Sequence, residues 1–150
     1  MLRCRFFGLL AIFIGAHASL LYAADYANDP ALVKKIAQKA DASSEDVQEM
    51  FRSDCQGGST LGVLQCANIR AVASDELMQL HYQELMRSLA SKSEKKRMII
   101  AQKAWVVFRD QECDFVAEHR SDNIGYGIVF SNCLSEMNQA REATLNHFHQ

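Results

Sequence analysis

The stretch AQKAWVVFRDQEC, residues 101–113, sets a glutamine, the chain's only tryptophan, an arginine, an aspartate and a cysteine within one short run. At 100° per residue, Met98, Gln102, Trp105, Arg109, Cys113 and Val116 fall within about 80° of one another, so the spacing predicts one helix from residue 95 to about 119. Gln102 and Arg109 then stand inside the apolar stripe instead of opposite it. Upstream, residues 63–89 also carry apolar side chains at helical spacing, and Ala71, Asp75, Met78, Tyr82, Met86 and Leu89 share one face with Asp75 in its middle. SKSE, residues 91–94, supplies a turn and an N-cap between the two, so they form a helical hairpin.

With the turn centred near Lys92, antiparallel packing brings level those residues whose numbers sum to about 184. Asp75 meets Arg109 and Tyr82 meets Gln102. A buried charge left alone is costly, whereas an arginine and a carboxylate can satisfy each other through directional hydrogen bonds. We therefore expect a structural polar core of Asp75, Tyr82, Gln102, Trp105 and Arg109, with an Asp75 to Arg109 ion pair and a Tyr82 to Gln102 hydrogen bond setting the register.

Either side of the hairpin the punctuation is clear. Asp29 and Pro30 read as an N-cap and first-turn pair opening a short helix, and Ser43 with Asp46 is spaced like a capping box for a second. RSDNIGYGIVFSN, residues 120–132, reads as a glycine-punctuated loop with a brief extended piece at 128–130, and a last helix follows from about 133 to 148. The fold class is all-α: a small disulfide-bonded bundle, with a long helical hairpin and a C-terminal helix preceded by two short helices.

The first residues place this domain outside the cytoplasm. Arg3 and Arg5 precede an uncharged, mainly apolar run at 6–22, and small residues follow at Ala23 and Ala24, the layout of a secretory signal peptide. AHA at 16–18 is a rival cleavage site. We expect a signal peptide at 1–24, a helical extension at 25–54, a helical domain at 55–150, no membrane attachment after cleavage, and a periplasmic or secreted destination. Loss of Arg3 and Arg5 leaves 14 basic against 18 acidic side chains, a net −4, which offers nucleic acid no attraction.

Cys4 leaves with the peptide, and the four remaining cysteines, Cys55, Cys66, Cys113 and Cys133, suit two disulfides in an oxidising compartment. Short loops favour Cys55 to Cys66 with Cys113 to Cys133. The hairpin register also brings Cys66 within about 7 Å, along the axis, of facing Cys113, so that pairing stays open. No cysteine pair has the close spacing of a structural zinc site, and no metal or cofactor is expected.

A cysteine opening a helix (Cys66), Asp75 and Tyr82 along it, then Ala101, Gln102, Trp105, Phe108, Arg109, Asp110 and Cys113 in register with AQ-x-x-W-x-x-[FY]-R-D-x-x-C, and finally Cys133, Arg141 and Leu145, together resemble the LprI-like lysozyme-inhibitor family. The resemblance spans about residues 55–146. It departs at Gly125, Tyr126 and Gly127, where the family often has Gly-Gly-Ser, at Asn138 in place of a frequent threonine, and at Gln79 in place of an asparagine before the tyrosine. It implies a small secreted helical domain and a protein partner, a lysozyme or another cell-wall hydrolase, inhibited by steric occlusion of its cleft.

Other function classes compete with that reading. His81, His119, His147 and His149 are scattered, and no phosphate loop or serine motif is present, so no enzyme is expected. An immunity protein against a periplasm-delivered toxin and a non-inhibitory envelope accessory protein are the alternatives. For partner contact the candidates are Asp110, off the apolar stripe, and Asp122, Asn123 and Tyr126 in the segment expected to be a loop.

Overall fold

The computed structural model describes residues 26–52, 58–119 and 123–148. The expected signal peptide, Cys55, Asp122 and His149 lie outside the described residues. Within them the chain is helical and contains no strand: α1 (Pro30–Ala40), α2 (Ser44–Arg52), α3 (Thr60–Ser88), α4 (Lys92–Glu118) and α5 (Asn123–His147).

Local chemistry explains each start. The Asp29 carboxylate accepts from the Ala31 and Leu32 amides ahead of α1 with Pro30 in its first turn. Ser43 and Asp46 cap α2 reciprocally, and Ser91 with Glu94 forms a capping box on α4. Asp41, at φ 50°, is the left-handed stop of α1, and its amide returns to the Ala37 carbonyl.

The segment read as a loop, residues 120–132, is instead largely the first turns of α5, which begins at Asn123. No glycine among the described residues has a positive φ, so Gly127 serves no turn. A Cβ there would come within 2.8 Å of Leu64 Cδ1. Gly127 is a contact residue: it lets α5 approach α3. Ser131, Ser135 and Asn138 continue the same buried face of α5, and Ala67, Ala71 and Ser74 answer it on α3. Small side chains let two helices come close, and α3 and α5 form the most extensive helix pairing in the described structure.

The pairing of Leu64 with Gly127, of Ser74 with Asn138 (3.1 Å) and of His81 with Glu142 (3.1 Å) makes α3 and α5 parallel. Burial pushes the Glu142 carboxyl above its usual range, with His81 opposing that shift. α4 returns antiparallel along α5 and reaches α3 mainly through long side chains. The last described helix, and not the hairpin partner, is thus the main neighbour of both long helices.

Cys113 bonds to Cys133 and ties α4 to α5. That bond overturns the Cys66 to Cys113 alternative: with α5 beside α4, Cys133 occupies the place that a two-helix register had given to Cys66. Cys66 is also disulfide-bonded, and the expected pairing with Cys55 falls outside the described residues.

Residues 26–52 form a second core on the opposite side of α3. Leu32, Val33, Ile36, Ala37, Ala40 and Val47 bury against Ile69 and Ala73. Asn68 and Gln65 donate side-chain hydrogen bonds to the Ala40 carbonyl at the end of α1. The buried Glu76 carboxylate receives both Lys35 (2.6 Å) and Lys39 (2.5 Å) from successive turns of α1. Burial pushes its pKa up, but the two lysine hydrogen bonds outweigh that and hold it below the ordinary 4.5. Lys39, bonded to Glu76, is raised above 10.5.

Two outcomes follow. The Glu76 contribution is complete above pH 4.5 and is lost as pH falls below that value through the folded-state pKa, whereas the Lys39 contribution is complete below 10.5 and is lost as pH rises through its raised value. Glu76→Gln should lower stability at pH 7 by about 1–2 kcal/mol, since both lysine heads remain half in water, and should flatten the acid limb of a urea-stability profile. Cys113→Ser with Cys133→Ser, which opens a loop of 20 residues, should cost about 3 kcal/mol by the same measurement.

Candidate functional site

The polar stripe of α4 turns inward and meets a partner at each level. The Arg109 guanidinium donates from Nη1 to Asp75 Oδ1 on α3 (2.9 Å) and to Asn138 Oδ1 on α5 (2.8 Å). It also donates from Nε to Asp110 Oδ1 on its own helix (2.8 Å), with Nη2 in an ion pair 2.7 Å from the same oxygen. Asn138 passes the chain on, donating to Ser74 Oγ at 3.1 Å. One nearly buried cation therefore joins three helices.

Gln102 is not bonded to Tyr82 as expected. Its amide donates to Met78 Sδ (3.1 Å), and its carbonyl accepts from Arg141 Nε (3.0 Å) on α5. The two-helix register omitted Arg141, whose charged donor is the stronger claimant for the amide oxygen. Tyr82 is half-buried beside Met78, Leu85 and Leu145. Trp105 packs at the edge of that same cluster, with the Arg109 and Arg141 guanidiniums 5.3 and 5.6 Å from its ring centroid.

The residues read as partner-binding candidates do not form a loop tip. Asp110 is half exposed, with its carboxylate turned to Arg109. Asn123 is exposed at the first turn of α5, and the Tyr126 hydroxyl donates to Asp114 on α4 (2.5 Å) while its ring stacks on Phe130. The bond to Asp114 raises the Tyr126 pKa. Asp110, Asp114, Asn123 and Tyr126 thus mark an acidic, amide-bearing edge along the α4–α5 seam.

Inward reading of α4 missed its other face. Ile100, Val107, Phe108 and Phe115 are each more than half exposed. Together with Ala104 and Gln111 they lie within about 100° of one another, opposite the buried stripe. The signal was present in the sequence as a second, weaker apolar period. A groove of about 500 Å³ lined by Tyr82, Ile99, Gln102, Lys103, Val106 and Val107 opens beside this face. Near Arg109, a polar recess of about 280 Å³ is lined by Lys39, Asp75, Ser131 and Asn138 among others. Among the described residues no group of three or more His, Cys, Asp or Glu side chains is arranged to hold a metal.

The described residues form a small helical domain with a disulfide, charges locked into a packed interior and an open apolar helix face. The family model described as Lysozyme inhibitor LprI matches residues 52–145, and the chain belongs to that family. The match begins at the end of α2, so α1 and most of α2 stand outside it. No curated protein and no solved structure matches the chain.

Asp75→Ala and Arg109→Ala should couple in a double-mutant stability cycle by about 1–3 kcal/mol. Arg109→Ala should be the costlier single change, because it strands Asp75, Asp110 and Asn138 together.

Proposed function

We propose that the protein is a secreted or periplasmic inhibitor of lysozyme or of a related peptidoglycan hydrolase, acting by covering the enzyme's cleft without turnover. The family match over residues 52–145 is the observation that carries this reading. Among the described residues no helix is long and apolar enough to cross a membrane. The contact surface in this reading is the C-terminal half of α4 with the start of α5. There Phe115 supplies an apolar anchor, and Asp110, Asp114, Asn123 and Tyr126 supply the acidic and amide groups, with Asp122 next to Asn123 in sequence. Acidic groups around an aromatic anchor suit a basic hydrolase, through faster encounter as well as through contact.

The exported chain, titrated against chicken-type, goose-type and invertebrate-type lysozymes with a wall-hydrolysis readout, should inhibit at least one of them at micromolar excess. Asp114→Lys should raise the concentration needed by roughly tenfold with the fold unchanged by circular dichroism. No inhibition of any of the three classes would leave the immunity and envelope-accessory readings in place of this one.

A further inference from the structure

The outer face of α4 carries two features that the packing of the domain does not use. Its apolar residues Ile100, Ala104, Val107, Phe108 and Phe115 share one side, with Gln111 set among them. The four large side chains on this side are each more than half exposed, and none belongs to either buried core. Contiguous apolar surface of this kind marks an interaction site.

The second feature is the order of the charges. The N-terminal half of α4 holds Lys92, Lys95, Lys96, Arg97 and Lys103 against Glu94, and the C-terminal half holds Asp110, Glu112, Asp114 and Glu118 against Arg109; on the outer face itself stand Arg97 at one end and Glu118 at the other. Apart from the capping Glu94, that order runs against the helix macrodipole, which favours acids at the start and bases at the end, and the last turn of α4 contains no basic residue. For the isolated helix the arrangement is unfavourable. Against an antiparallel copy of itself the outer face is complementary at its two ends, where Arg97 of one copy stands over Glu118 of the other.

We infer that the outer face of α4 is a self-recognition surface, on which a second copy of this chain packs its own α4 antiparallel about a two-fold axis. Residue numbers across the contact sum to about 215. Ile100 then meets the second copy's Phe115, Ala104 meets Gln111, and Val107 lies beside Phe108 at the axis. Arg97 and Glu118 close the stripe at each end, about 32 Å apart along the helix. A symmetric pair of this type is isologous, so each contact occurs twice. A parallel pairing would set like charge on like. A uniformly basic hydrolase would match the acidic half and be repelled by the basic half, so the second copy is the occupant that fits the entire face.

Pairing also covers Phe115 and Asp114, so it would hold the inhibitory surface in reserve until dilution or a tighter target releases it. This consequence rests on the inhibitor reading, but the pairing does not.

Sedimentation of the exported, processed chain at about 100 µM tests it without any hydrolase. The expected result is a dimer that Arg97→Glu or Glu118→Arg weakens by roughly tenfold or more, and that the combined Arg97→Glu, Glu118→Arg chain restores. Circular dichroism checks that each variant keeps its helices. A wild-type chain that stays monomeric at that concentration overturns the proposal, and so does a dimer that both single reversals leave unchanged. A dimer weakened by the single changes but not restored by the swap overturns the antiparallel register. Lysozyme inhibition is read separately, so a non-inhibiting dimer sinks only the functional reading, and an inhibiting monomer only the pairing.

Discussion

A guanidinium withdrawn from water has to find its hydrogen bonds inside the protein, and Arg109 finds them on three helices. Asp75 comes from α3, Asn138 from α5 and Asp110 from α4 itself. A one-residue slip of any helix moves its partner by about 1.5 Å along the axis and turns it through 100°, which breaks directional bonds of this kind. Two carboxylates share the one cation, and the amide of Asn138 carries the network on to Ser74, where water has little access. The register of the three long helices is therefore written in polar chemistry, while their adhesion comes from apolar burial on both sides of α3.

The close approach of α3 and α5 shapes everything around that network. Gly127, Ser131 and Ser135 on one helix and Ala67, Ala71 and Ser74 on the other leave little side-chain volume between the backbones. α4 consequently lies along α5 and spans to α3 with its longest polar residues. With α5 on its inward side, α4 leaves Ile100, Val107, Phe108 and Phe115 exposed on the opposite face.

The N-terminal segment adds a second body of packing on the other side of α3. Two lysines from α1 converge on Glu76, and the apolar face of α1 covers Ile69 and Ala73. Since the family match starts at residue 52, this covering is an addition to the family's helical domain. It protects a face of α3 that would otherwise be apolar and wet. The contact surface proposed for a hydrolase, at the α4–α5 seam, is formed by other elements.

Much of this was legible in the residues alone, because helix starts, helix stops and the period of apolar side chains are local properties. The caps at Asp29, Ser43 and Ser91, the two long helices and the level placement of Asp75 and Arg109 all follow from spacing and from the cost of a lone buried charge. The family signature in 101–113 is likewise a one-dimensional pattern. What the tertiary structure decided was every question of which helix lies beside which. Gly125 and Gly127 read as chain breakers because a sequence does not show that Leu64 stands where a Cβ would go. Gln102 bonds to Arg141 and not to Tyr82 because the third helix, whose place a two-helix register does not show, brings a charged donor to its carbonyl. The outward stripe of α4 became visible only when α5 occupied the inward one, since a helix with two apolar faces reveals which is free only after its neighbours are placed.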